Sequence, residues 1–141
     1  NGKVLINMRH TSKKRKRAIS ISENGSDGWS KPCYDEELPD PICMAGMTRD
    51  ENKVLFSNCA NDDMSLKDTR INLTLRCSED DCKSWYKELL IEKIAGYSDL
   101  CINKKSGDIF CAYESGRPEG TQGAFPQKHL TIAKIKPEEL K

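Results

Sequence analysis

Seven cysteines and two histidines carry the most reactive side chains of this 141-residue chain. Zinc sites need Cys or His pairs a few residues apart, as in C-x2-C, to close a small chelate loop. No such pair occurs, and His10 and His129 stand far apart, so no metal is expected. An odd cysteine count leaves at least one thiol unpaired within the chain. Cys101 and Cys111 flank a predicted hairpin and could face each other across it, while Cys33 and Cys43 could close a short loop. The competing reading, equally open, makes most of them small buried hydrophobes. Lys13-Lys-Arg-Lys-Arg17 is the one dense charge run. Such runs serve as nuclear signals or polyanion patches. Here it reads better as a strand-edge loop in which lysines discourage edge pairing.

Overall charge points to no partner, since 23 Lys+Arg stand against 22 Asp+Glu. That balance gives no argument for nucleic acid or an acidic membrane surface. No apolar run approaches the roughly 18 residues a membrane-spanning helix needs, and no signal-peptide pattern opens the chain. Asn1-Gly-Lys-Val-Leu-Ile-Asn-Met-Arg9 begins in mid-strand, as a fragment or a processed chain would. Asn24-Gly-Ser26 and Asn72-Leu-Thr74 are glycosylation sequons, too short to assign a compartment, and Asn72 is expected in a strand.

The elements that must position any site are strands. Short β-rich runs recur at Val4–Met8, Ala18–Ser22, Val54–Ser57, Ile71–Arg76, Leu89–Ile91, Tyr97–Ile102, Asp108–Tyr113 and Leu130–Ile135. Turn residues separate them, among them Asn24-Gly25, Asp27-Gly28 and Lys104-Lys-Ser-Gly107. Ile71–Cys77 and Ala18–Ser22 alternate with period two, the pattern of half-buried strands. Lys136-Pro-Glu-Glu-Leu-Lys141 is the one helix candidate, about a single turn.

Ser78-Glu-Asp-Asp-Cys-Lys-Ser-Trp85 has the form S-x-D-x-G-x-T/S-W, the Asp box, and Ser22-Glu-Asn-Gly-Ser-Asp-Gly-Trp29 is a looser copy. Each fits a hairpin between the last two strands of a propeller blade. Its Ser and Asp or Asn side chains can bond turn amides, and its Trp can pack under the blade. The copies begin 78 − 22 = 56 residues apart, a little over the roughly 40–50 residues of a blade repeat. Both depart from the form where glycine would ease a left-handed backbone, with Cys82 in one and Ser26 in the other.

Asp boxes followed by Tyr97-Ser-Asp-Leu100 and then Tyr113-Glu114 resemble the C-terminal half of a sialidase (neuraminidase) β-propeller. The matching order of motifs runs over about residues 3–135 and includes Leu38-Pro-Asp-Pro-Ile-Cys43, similar to a segment that links two blades. The resemblance implies an all-β fold of about three blades of a six-bladed propeller over residues 1–135, with a tail at 136–141. A propeller needs closure, so such a fragment should expose an open edge unless the N-terminal half of the same propeller covers it.

The resemblance also implies site residues. Tyr97 matches the nucleophile. Arg9, in Asn7-Met-Arg9, and Arg70, in Arg70-Ile-Asn-Leu-Thr-Leu-Arg76, match two arginines of a triad that binds the substrate carboxylate. Arg76 lies on the same face by alternation, and the Arg-x-Asn-Leu-Thr pattern favours Arg70. Glu114 matches a supporting glutamate that orients another triad arginine. The chemistry is coherent, because an arginine fork grips a carboxylate bidentately. A neutral tyrosine activated by a glutamate attacks an anomeric centre without repelling the neighbouring carboxylate. The first arginine, an aspartate acid/base and that activating glutamate are expected upstream of residue 1.

The expectation is therefore part of an exo-sialidase that hydrolyses terminal α-linked sialic acid with retention. It would act on sialylated glycoproteins, glycolipids or oligosaccharides, without cofactor, in a secreted, lysosomal or other extracytoplasmic setting. This chain alone is expected to be inactive. A trans-sialidase would use the same residues. The alternative from a different class is a non-catalytic Asp-box propeller that binds carbohydrate or protein.

Overall fold

A computed structural model describes residues 2–121 and 127–140. Asn1 and Lys141, the outermost residues of the expected strand and tail segments, lie outside the described residues. The chain is all-β. Among the described residues, nine strands run β1 (Val4–Met8), β2 (Lys16–Ser22), β3 (Cys33–Pro39), β4 (Gly46–Asp50), β5 (Lys53–Cys59), β6 (Ile71–Ser78), β7 (Tyr86–Ile102), β8 (Ile109–Ser115) and β9 (His129–Ile135). A 3-10 turn at Pro137–Glu139 occupies the expected helix position.

Pairing is antiparallel throughout, in one sheet of order β1-β2-β3 and another of order β4-β5-β6-β7-β8-β9. The seventeen residues of β7 belong to two units. Its first half pairs with β6 up to Ile94, and its second half pairs with β8 from Ala95 onward, with a register shift between Ala95 and Ser98. The larger sheet is therefore two blades sharing one strand, β4–β7 and β7–β9. Together with β1–β3 they make three blades of a partial propeller.

All eight predicted runs fall on strands, often a residue or two longer. Two strands were not predicted. β3 contains Asp35-Glu-Glu37 and β4 opens with Gly46, residues that sequence preference keeps out of strands. Leu89–Ile91 and Tyr97–Ile102, read as separate runs, are one strand. Ile71–Cys77 is not half-buried: Leu73 to Ser78 are buried on both faces. The middle blade is covered by its neighbours on either side.

The core lies between the second and third blades, where Leu55, Leu73, Leu75, Leu100, Ile109 and Tyr113 are buried together. Five cysteines (Cys43, Cys59, Cys77, Cys82 and Cys111) are buried, and all seven are free thiols. Neither expected pairing forms. Across the β7–β8 hairpin Cys101 opposes Phe110 while Cys111 opposes Leu100, so one sulfur faces out and the other in. Cys33 is likewise exposed and Cys43 buried.

Both motif turns join the last two strands of a blade, β2–β3 and β6–β7. In the second turn Asp80 Oδ1 accepts the backbone N–H of Lys83 and Ser84, each at 3.0 Å, and Ser78 Oγ accepts that of Cys82 at 2.9 Å. These bonds to the charged form hold the Asp80 carboxyl well below the ordinary range, led by the Ser84 hydroxyl. The glycine position is strained, with Asp81 and Cys82 both left-handed at φ 61° and 65°. Trp85 packs on Phe56, ring centroids 5.4 Å apart, and donates its indole N–H to Asp35 at 2.9 Å. That bond, and one from the Trp85 backbone to Glu37, ties the acidic strand β3 to the second blade.

Candidate functional site

Arg9 follows β1, Arg70 precedes β6, Tyr97 lies at the register shift of β7, and Glu114 is near the end of β8. Three blades therefore contribute to one place. An Arg9 Nη1–H donates to the Tyr97 phenol oxygen at 3.2 Å, and the Arg9 guanidinium carbon lies 5.6 Å from the ring centroid. The Arg70 guanidinium lies over the same ring at 4.8 Å. Arg9 is exposed, Tyr97 half-buried and Arg70 buried, so the cluster is open on the Arg9 side.

Arg76 does not share this position. Its Nε donates to Glu88 at 2.7 Å and its Nη1 to the side-chain oxygen of Asn58 at 3.1 Å. Alternation failed to separate the two arginines because β6 is irregular. Asn72 is left-handed at φ 57°, and bulges fall at Leu73/Thr74 and Leu75/Cys77.

Glu114 supports Tyr97 through the backbone, accepting the Tyr97 N–H at 3.0 Å. The glycine before Tyr97 makes this possible, since a Cβ at Gly96 would collide with the Glu114 carboxylate. Beneath the same peptide lie Cys43 and Cys59, whose thiols donate to the Gly96 carbonyl at 3.3 and 3.5 Å. Hydrogen bonding to Cys43, then burial, pushes the Cys59 thiol far up. It is a structural donor rather than a nucleophile.

Electrostatics at the phenol run the other way. Hydrogen bonding by Arg9 and then Arg70, with the charges of both, pulls the Tyr97 phenol below its ordinary value. Because Arg9 occupies the oxygen as a donor, the phenol's own proton must be offered to another acceptor. The arrangement combines a nucleophile-capable oxygen with two guanidinium groups, and an anion placed in front would meet charge-assisted donors.

Reasoning on the sequence alone missed the residues that hold this cluster from behind. Gly96 carries the signal of a glycine directly before the tyrosine. Cys43 and Cys59 carry none that spacing could show.

No protein-family model matches the chain. Solved structures share its fold. The chain is similar to the Hadza microbial sialidase Hz136, with TM-score 0.74 and 22% identity over 99% of this chain and 26% of that one. It is similar to the NanB sialidase of Streptococcus pneumoniae, solved with 2-[(3-chlorobenzyl)ammonio]ethanesulfonate, at TM-score 0.73 and 15% identity over 100% and 22%. It is also similar to the intramolecular trans-sialidase of Ruminococcus gnavus, solved with oseltamivir carboxylate, at TM-score 0.64 and 17% identity over 100% and 32%. The chain thus has a sialidase-like partial propeller fold and spans about a fifth to a third of these proteins' lengths.

Proposed function

We propose that this chain is the C-terminal part of an exo-sialidase, a retaining glycoside hydrolase that removes terminal α-linked sialic acid from glycoconjugates. The observation that carries the reading is the convergence of Arg9 and Arg70 on the Tyr97 phenol, 3.2 Å from one and 4.8 Å beneath the other. A sialic acid carboxylate would be gripped by the two guanidinium groups, which places the adjacent anomeric carbon near the phenol oxygen. Attack by that oxygen forms a glycosyl–tyrosine bond and expels the aglycone, and water then releases the sugar. The lowered pKa of the phenol supports this role, since a tyrosine near its ordinary pKa of about 10 is almost wholly protonated at neutral pH. Two of the similar proteins were solved with a sulfonate or a carboxylate compound, anions of the kind such a cluster would bind.

Proton transfer to the leaving group needs an acid, and full ionisation of Tyr97 needs a base. The resemblance implies that both, with a third arginine, belong to an N-terminal half of the propeller. That half would also cover the apolar side chains that β1 and β9 expose, Val4 and Ile6 at 40% and 41%, Leu130 and Ile132 at 78% and 68%. The 141-residue chain by itself should therefore be inactive on a fluorogenic sialoside, whereas a protein that includes the N-terminal half should turn it over. Turnover by the isolated chain would refute the division of labour. Absence of turnover in the complete protein, with retained sialic acid binding, would favour a lectin-like propeller.

A further inference from the structure

Arg17 ends the basic run Lys13–Arg17, yet its side chain is only 5% exposed. Its fork reaches three segments. Nε–H donates to the Asn7 side-chain oxygen at 2.6 Å and Nη2–H to the Asn7 carbonyl at 3.3 Å, on the strand end two residues before Arg9. Nη1–H donates to the Cys43 carbonyl at 2.9 Å and faces Asp40 Oδ1 at 3.4 Å. Asp40 Oδ1 also accepts the Cys43 N–H at 3.1 Å. The Cys43 thiol then holds the Gly96 carbonyl, in the peptide bond that carries Tyr97. On its remaining side the guanidinium lies 5.8 Å from the Phe56 ring centroid, in the second blade.

A buried cation is costly to desolvate. Burial lowers the Arg17 pKa, and Asp40 is the first of the groups that oppose the shift. A planar five-donor fork can serve all these acceptors at once, which the single ammonium of a lysine cannot. We propose that Arg17 is a positioning residue for the candidate site. Its guanidinium braces the strand end bearing Arg9 against the loop whose Cys43 anchors the Tyr97 peptide, and so sets the separation of Arg9 from the phenol. The proposal rests on the reading of Arg9 and Tyr97 as the substrate-facing pair, although its test needs no sugar.

The readout is the titration midpoint of Tyr97 by NMR of the ring Cζ in the whole chain, assigned by the signal lost in Tyr97→Phe. In Arg17→Lys, and in Arg17→Met combined with Asp40→Leu to leave no unpaired buried charge, the midpoint should rise toward the ordinary phenol value. The expected change is a roughly three- to ten-fold weaker acid, the scale of one charge-assisted hydrogen bond at a solvent-facing group. Asn7→Ala removes one acceptor and leaves the ion pair whole, so it should give a smaller change of the same sign. It decides the matter if the Arg17 variants do not fold. Mere loss of stability leaves the folded-state midpoint where it was. An unmoved midpoint in the folded Arg17 variants, or in Asn7→Ala if those do not fold, overturns the proposal. Titration of the unmodified chain with N-acetylneuraminic acid tests the sialidase reading separately, and its failure would leave the bracing result standing.

Discussion

β7 carries one tyrosine at its start and another at its internal register shift, and their surroundings drive the phenols in opposite directions. Tyr86 begins the strand, where burial, then the Glu79 carboxylate and Cys77, push its phenol far up. Tyr97, eleven positions on, faces Arg9 and Arg70 and is pulled down. β6 repeats the contrast with its arginines. Arg76 is absorbed by Glu88 and Asn58, whereas Arg70 lies over Tyr97. One end of this strand pair is therefore neutralised scaffold. At the other, two cations gather around an ionisable oxygen, which is what binding a small anion requires.

The largest effect should come from removing the oxygen itself. Tyr97→Phe in the protein with its N-terminal half should lower sialoside turnover roughly a thousand-fold or more, the scale for losing a nucleophile, while Tyr86→Phe leaves turnover intact. Steady-state kinetics on a fluorogenic sialoside measures both, and equal losses would erase the distinction between the ends. The arginines sharpen it next. Arg70→Met should weaken sialic acid binding by roughly 1.5–3 kcal/mol, seen by calorimetry. Arg76→Met should spare affinity and instead cost about 1–3 kcal/mol of stability in denaturant unfolding, because it leaves the buried Asn58 side-chain oxygen without its donor.

Core packing between these ends gives an effect read first in stability. Phe56→Ala should cost about 3–5 kcal/mol, since Phe56 is 1% exposed and supports both Trp85 and Arg17. The smallest effects are those of pH. Asp80 and Asp108 have depressed folded pKa values, Asp108 through Lys134 and Lys136 at 2.8 and 3.0 Å. Their contribution is present above the ordinary carboxylate value of about 4 and is lost as pH falls below it. Tyr86 is raised, so its contribution is present below about pH 10 and declines as pH rises beyond it. Tyr97 has the opposite sign, gaining as pH rises toward 10. Thermal unfolding across pH should therefore show Tyr86→Phe flattening the alkaline decline.

The period-two runs and the turn dipeptides made the all-β class legible in the sequence, and the two similar turns at Ser22 and Ser78 fall between the last two strands of successive blades. The candidate site residues were legible only through resemblance, since nothing local distinguishes Arg70 from Arg76. The left-handed Asn72 and the two bulges that separate their directions depend on how β6 meets β7. β3 was hidden for a similar reason. Asp35 and Glu37 disfavour a strand, and what holds them is Trp85, some fifty residues later. Arg17 looked like the end of a solvated charge run, because its partners Asn7, Asp40 and Cys43 are brought to it only by the packing of blades.

The account depends on Arg9, Arg70 and Tyr97 forming one receptor for a carboxylate. NMR titration of the protein with N-acetylneuraminic acid and, in parallel, with its methyl ester tests this directly. The acid should shift the Arg9 and Arg70 guanidinium signals and the Tyr97 ring signal together and saturably, and the uncharged ester should not. Shifts confined to other residues, or equal shifts with the ester, would contradict it.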